Sequence, residues 1–320
     1  MDNSAFSGRV VIVTGAGTGL GQAYAELLGR LGARVVVNNR HRGTAAEESS
    51  AQRVARAIAA QGGQAIADHA DIASFEGARA LAQHALAEWG RIDALVCNAG
   101  FTRDKTFLKM DLEDFRAVLE VHLMGTVYCC KAVLPAMVER RHGRILCCIS
   151  AAGLHGNFGQ SNYAAAKAGV IGFMRSLDQE CARHGVRANA LAPFAATRMT
   201  QATSVSTDPS PRFAPDRVAP LAAYLVGPDC DFGGEILSAA GGYFGTAAMV
   251  EGDGVRLPAE QAAPTLAELA SHIERIRSLA AARRFSSAQQ SAHFVLRGTL
   301  PPAAATATPE AVAALPASTP

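Results

Sequence analysis

Residues 9–21 read Arg9-Val10-Val11-Ile12-Val13-Thr14-Gly15-Ala16-Gly17-Thr18-Gly19-Leu20-Gly21. A run of β-branched apolar residues stops at a glycine-rich turn. The next stretch, 22–31, has helical spacing and ends at Gly32. Continuous apolar character suits a strand buried on both faces, which in turn suits a parallel sheet covered by helices. Where a strand turns sharply into a helix, the first amides and the helix dipole accept a phosphate. Gly15 permits the tight turn, and Gly19 and Gly21 admit a close approach of backbone and ligand. The turn departs from GxGxxG, because Leu20 stands where the last glycine belongs. By itself it is compatible with an ordinary tight turn. After the first strand of a βαβ unit it points to a dinucleotide.

Working outward, strands and helices alternate. Residues 34–38, 64–69, 92–97, 144–149, 187–191 and 235–238 read as further strands. Helices are expected over 51–61, 74–89, 114–139, 162–184 and 218–226. The fold class is therefore α/β, a Rossmann-type doubly wound parallel sheet forming a single domain with a C-terminal extension. Residues 1–248 form the NAD(P)-binding Rossmann catalytic domain. Residues 249–298 form a helical extension, with one amphipathic helix expected over 266–282. Residues 299–320 are Ala- and Pro-rich and read as a disordered tail. The stretch 204–215, with Pro209, Pro211 and Pro215, reads as a mobile loop beside the site.

Composition narrows the function classes. The chain has 320 residues, 49% hydrophobic and 18% charged, with a formal charge of +2. That is ample core material and excludes a wholly disordered chain. No basic block suggests nucleic-acid binding. No uninterrupted apolar run is long enough for a bilayer, so no membrane association is expected. The opening residues are too short and polar for a signal peptide. Seven scattered cysteines show neither CxxC nor metal-ligand spacing. A reducing, cytoplasmic setting without a metal follows as the expectation.

About 20 residues beyond the glycine turn, an acidic residue commonly grips the ribose hydroxyl of NAD. Here stand Asn39 and Arg40, with Arg42 nearby. A neutral amide beside guanidinium groups favours a 2′-phosphate, hence NADP(H), because guanidinium binds phosphate bidentately. The alternative is that the arginines are solvated and Asn39 holds the hydroxyl of NAD(H).

Farther on, Ser150 ends the fifth strand, and Tyr163 and Lys167 lie four apart on one helix face. A neighbouring ammonium is expected to lower the phenol pKa and fit Tyr163 for acid–base work, with Ser150 holding a substrate oxygen. Alone, such a Tyr–Lys pair is usually a surface contact. Combined with the serine and the glycine turn, it becomes specific.

Together, the 14–21 turn, Asp71, Asn98-Ala99-Gly100, Ser150 and Tyr163-Ala-Ala-Ala-Lys167 resemble the short-chain dehydrogenase/reductase family over residues 5–245. The resemblance implies that Tyr163 is the acid/base, that Ser150 positions the substrate oxygen, and that Lys167 holds the ribose and tunes Tyr163. It further implies a cofactor site formed by Gly15, Thr18, Gly19, Leu20 and Gly21, by Asn39, Arg40, Asp71 and Ile72, by Asn98, Ala99 and Gly100, and by Pro193 and Thr197 with Tyr163 and Lys167. His122 occupies the place of the family's usual helix asparagine. It is expected either to join a proton relay to Lys167 or to be a packed histidine.

The stretches around His122, 156–162 and 193–201 resemble one branch, the (3R)-hydroxyacyl-CoA dehydrogenase domains of multifunctional enzyme type 2. The implied function is interconversion of a secondary alcohol and a ketone on a 3-hydroxyacyl-CoA or steroid-like substrate. The alternatives are a simple ketone or 3-oxoacyl-ACP reductase, or a catalytically silent dinucleotide-binding regulator. A homodimer or homotetramer built through the two long helices is expected.

Overall fold

A computed structural model describes residues 5–41, 43–44, 47–197, 199–200, 211–258 and 263–299. Arg42, most of the 204–215 loop and the tail from residue 300 lie outside that set. The chain divides into two compact units, Met1–Ala247 and Ala248–Pro320.

The first unit is one eight-stranded sheet. Its strands are β1 (Val10–Thr14), β2 (Arg34–Asn38), β3 (Gln64–Asp68), β4 (Ala94–Cys97), β5 (Gly143–Cys148), β6 (Val186–Phe194), β7 (Ile236–Ala240) and β8 (Tyr243–Ala247). The order is β3-β2-β1-β4-β5-β6-β7-β8. All neighbours run parallel except the β7–β8 pair, which is antiparallel. The turn between them, Gly241-Gly242, has φ of +55° and +91°, values that glycine adopts without strain. The short strand expected over 235–238 is therefore the first arm of a hairpin.

Strand alternation divides the core. Val11 and Val13 face one apolar layer with α1 (Gly19–Arg30), α2 (Ser50–Ala60) and α8 (Ala219–Val226). Val10 and Ile12 face the other, with α3 (Phe75–Trp89), α5 (Gly125–Glu139) and α7 (Ser161–Cys181). Every residue of β1 is buried, as its unbroken apolar run requires. Local caps fix the helix starts. The Ser74 hydroxyl accepts from the Gly77 amide at 3.1 Å, and Ser49 with Gln52 forms a reciprocal capping box on α2.

The helix expected over 114–139 starts earlier and is interrupted. It consists of α4 (Leu112–Leu119), a wide π-helical turn (Glu120–Met124) and α5. By length and composition, Leu112–Glu139 is the one described helix apolar enough to cross a membrane. Counting only uninterrupted apolar runs missed it, because charged residues punctuate an otherwise apolar helix. Here α5 lines the sheet, with Cys129, Cys130, Val133 and Met137 in its apolar layer.

In the second unit, the single helix expected over 266–282 is two short helices, α9 (Leu266–Ser271) and α10 (Ile273–Arg277). His272 separates them with ψ near 0°, which breaks the α geometry. A third helix, α11 (Ala288–Arg297), went unread. It carries Phe294, which stacks on Phe285 at 5.4 Å with the Arg256 and Arg283 guanidinium groups over its ring.

Candidate active site

The carboxyl ends of β1, β4 and β5 meet at the glycine turn. Asn98 Nδ2 donates to the carbonyls of Thr14 at 3.0 Å and Gly15 at 3.3 Å. The Asn98 and Ala99 amides donate to Thr14 Oγ1 at 3.0 and 3.1 Å. This lattice fixes the turn from beneath.

The turn fits a dinucleotide. A Cβ on Gly15 would lie 2.6 Å from Ala99 Cα, and one on Gly21 would lie 2.3 Å from the Gly15 carbonyl. At Gly17 it would strike Ser50 Oγ at 2.3 Å and Asn39 Cγ at 2.9 Å. Gly15 and Gly19 have φ of +64° and +60°. At Gly15, Gly17 and Gly21 a side chain would collide with the chain's own atoms, so only glycine lets the turn pack this closely. The first turn of α1 carries no acidic residue, so an anion meets the helix dipole without a competing charge. Thr197 stands beside this turn, its Cγ2 3.4 Å from where a Gly19 Cβ would be.

At the end of β2, Asn39 Nδ2 donates to Ser50 Oγ at 2.9 Å. Arg40 pairs with Asp71 at 2.8 Å, both half-exposed. Two residues assigned to the cofactor site thus already bind each other, and an incoming phosphate competes with a carboxylate for the guanidinium. Two other assigned residues play a more structural part. Leu20 packs against an apolar layer of the core. Ile72 is buried and presses its Cδ1 toward Gly125, which has no Cβ to obstruct it. Pro193 lies within β6, paired with Ala239.

The catalytic candidates converge. β5 ends at Cys148, so Ser150 is the cap of a short helix, α6 (Ala151–His155), and its Oγ accepts from the Ala152 amide at 3.2 Å. The same hydroxyl faces Tyr163 and exerts a downward pull on the phenol pKa. Lys167 Nζ stands 5.6 Å from the Tyr163 ring centroid. It donates to the Cys148 carbonyl at 2.6 Å. The expected lowering of the Tyr163 pKa is not what this geometry gives. Burial pushes the phenol up to about 12, against a smaller opposing pull from Ser150. The ammonium is turned to a backbone carbonyl rather than to the phenol oxygen, and burial lowers its own pKa.

His122 is the buried residue of the π-helical turn. Its Nε2 lies 3.0 Å from the Phe101 amide nitrogen and 2.7 Å from the Phe101 carbonyl oxygen. Either tautomer therefore has one backbone partner. Nδ1 is buried without a partner. The ring meets Tyr163 edge-on, with centroids 5.1 Å apart. Burial, then the Lys167 cation, lowers the imidazole pKa to about 3, so it is neutral at physiological pH.

Several supporting residues escaped the sequence reading. Asn162 is fully buried, donating from Nδ2 to the Arg103 carbonyl at 3.0 Å and accepting from the Tyr163 amide at 2.7 Å. Its signal was an asparagine at a helix start. Gly153 lets α6 settle on Lys167, since a Cβ there would sit 2.7 Å from Lys167 Cβ. The Cys148 carbonyl had no signal, being backbone. Among the described residues, no group of three or more His, Cys, Asp or Glu side chains is placed to hold a metal.

A fold of this kind is that of an oxidoreductase, and the chain belongs to the short-chain dehydrogenase family, whose model matches residues 9–208. It is similar to a short-chain dehydrogenase of Mycobacterium avium, whose crystal structure superposes with a TM-score of 0.76 at 36% identity, covering 86% of this chain and 97% of that one. It is 44% identical over 213 residues to a 3-oxoacyl-[acyl-carrier-protein] reductase of Synechocystis, covering 66% of this chain and 83% of the relative. It is 39% identical over 258 residues to the peroxisomal multifunctional enzyme type 2 of Drosophila melanogaster, covering 79% of this chain and 42% of that protein.

Proposed function

We propose that this oxidoreductase interconverts a secondary alcohol and a ketone at the 3-position of an acyl thioester, using NADP(H). The observation that carries the reading is the convergence of Ser150, Tyr163 and Lys167 beside the glycine cradle. Bound nicotinamide supplies or accepts the hydride. The chain's own groups manage the oxygen and its proton.

With its pKa near 12, Tyr163 holds its proton firmly at neutral pH. That suits it to donate to a carbonyl oxygen when the reaction runs as a reduction. Ser150, facing Tyr163, can turn its one hydroxyl proton to the same oxygen. Lys167 brings positive charge beneath the phenol and restrains the electron-rich ring. His122 stays neutral, steadies Phe101 and walls the Tyr163 ring. His122 is therefore read as a positioning residue, and the relay role weighed for it is not adopted.

The acyl-thioester substrate is supported by the reductase relative, whose name states that chemistry. The NADP(H) choice rests on Asn39 and Arg40, where no carboxylate ends β2. The deciding experiment measures kcat/KM for NADPH and NADH across 3-oxoacyl thioesters, simple ketones and 17-keto steroids. We expect turnover of the thioesters with at least tenfold NADPH preference, reduced specifically for NADPH by Arg40→Ala. NADH preference overturns the cofactor reading. Tight NADPH binding without turnover across the panel overturns the catalytic one. A homodimer or homotetramer through α4–α5 and α7 is part of the same reading, checked by light scattering.

A further inference from the structure

Three cysteines that the mechanism does not use lie directly below the site. Cys97 is the last residue of β4 and Cys147 the penultimate residue of β5, and the two are register partners on adjacent parallel strands. Register partners project to the same sheet face, and both belong to the apolar layer that also contains Cys130 of α5. The three thiols act on one another's ionisation, with Cys97 and Cys130 pushed up and Cys147 held down. The neighbouring Cys130 and Cys97, and then the Lys167 charge, hold the Cys147 thiol down against the effect of burial. Cys97 keeps a 5% exposure while Cys147 has none.

We propose that Cys97 and Cys147 form a reversible oxidative modification site, closing to a disulfide with a hydroperoxide as the oxidant. Adjacent strands lie roughly 4.8 Å apart, within the Cα range a disulfide spans. Cys97, the residue that keeps some exposure, passes its proton to the neighbouring Cys147 sulfur and attacks the peroxide as the thiolate. The O–O bond breaks, Cys97 becomes a sulfenic acid, and one water leaves. The Cys147 sulfur then attacks the Cys97 sulfur and forms the S–S bond, and the hydroxyl departs as a second water. The two thiols together lose two electrons and two protons, and hydrogen peroxide is reduced to two waters. Cys130, reaching the pair from a helix rather than from a paired strand, is the spectator.

The consequence follows from the two chain neighbours. Asn98, next after Cys97, pins the glycine turn through Thr14 and Gly15. Cys148, next after Cys147, supplies the carbonyl that holds Lys167. A covalent link one residue below both shifts the cofactor cradle and the catalytic lysine together.

The test treats the full-length protein with hydrogen peroxide, maps cross-links by mass spectrometry, and follows NADPH binding and turnover. We expect a Cys97–Cys147 disulfide and at least a tenfold loss of turnover. Dithiothreitol restores activity. Cys97→Ala retains basal activity and escapes inactivation, whereas Cys130→Ala stays sensitive. A Cys97–Cys130 link, oxidation without a cross-link, or a cross-link that leaves binding and turnover unchanged overturns the proposal. The mapping needs no substrate, so failure to find a substrate and failure to find the disulfide are separate results.

Discussion

Gly100 and His122 provide a sharp test of how the site is assembled. A Cβ on Gly100 would lie 1.9 Å from His122 Cε1, 2.6 Å from Nδ1 and 2.8 Å from Nε2. Ordinary carbon contacts begin near 3.5 Å, so in Gly100→Ala the imidazole must retreat by roughly 1.5 Å. The ring is buried, and the retreat breaks its contact with Phe101. Overpacking of this kind costs about 1–3 kcal/mol, and the lost hydrogen bond about 1 more. We expect Gly100→Ala to destabilise by about 2–3 kcal/mol. His122→Ala leaves a cavity and costs about 2–4 kcal/mol. In the double variant the added methyl enters that cavity, so the total stays close to the cost of His122→Ala alone. The coupling is then about 2 kcal/mol, far above the roughly 0.5 kcal/mol scatter of independent sites. Urea titrations followed by circular dichroism measure all four proteins of the cycle. Gly100 has no positive φ, so backbone strain does not blur the comparison. Additivity within 0.5 kcal/mol would show that the imidazole does not occupy the space above Gly100, and would remove the wall assigned to Tyr163.

Other perturbations probe the neighbouring groups. Tyr163→Phe should fold and bind NADPH while losing two to four orders of magnitude in kcat, roughly the worth of general acid catalysis; undiminished turnover refutes the assignment. Because the folded-state pKa of His122 is depressed from 6.5 to about 3, its contribution is intact above pH 6.5 and is lost as the pH falls toward 3. Unfolding free energies of His122→Asn should therefore fall less over that window than those of the parent chain, and an unchanged difference refutes it. Tyr163 is raised from 10 to about 12, so its contribution is intact below pH 10 and is lost as the pH rises through 12; Tyr163→Phe should blunt that alkaline loss in the same titration. Gly15→Ala must fit a Cβ 2.6 Å from the Ala99 backbone at a φ of +64°, and should weaken NADPH binding at least tenfold by fluorescence titration.

The fold was readable because it depends on period and punctuation. The apolar run of β1, the helix start at Ser74 and the stop at Gly32 are local signals, and each lies where the alternation places it. β8 was missed because Tyr243–Ala247 is a mostly exposed edge strand with no buried run to announce it. The π-helical turn was missed because its hydrogen-bond shift leaves apolar spacing nearly intact. The convergence of Ser150, Tyr163 and Lys167 was readable from residue type and spacing. Their electrostatics were not, because pKa depends on which partner a charge faces.

That last point bears on the chemistry. The expectation that Lys167 would acidify Tyr163 treated two groups on one helix face as an isolated pair. In the folded chain a third group intervenes, the Cys148 carbonyl at 2.6 Å, and it takes the ammonium's strongest interaction. Burial then acts on both titrating groups in opposite senses, raising the phenol and lowering the ammonium, so each is biased toward its neutral form. In the proposed reaction, a site biased this way would hold the proton on Tyr163 until a carbonyl oxygen gains negative charge beside it. Removing the proton in the reverse direction requires Lys167 to loosen its bond to Cys148 and face the phenolate. Burial chiefly sets the acidity of the helix tyrosine, and the β5 carbonyl sets where the Lys167 cation stands beside it. Any change that lengthens the Lys167–Cys148 contact should lower the pH at which alcohol oxidation becomes efficient.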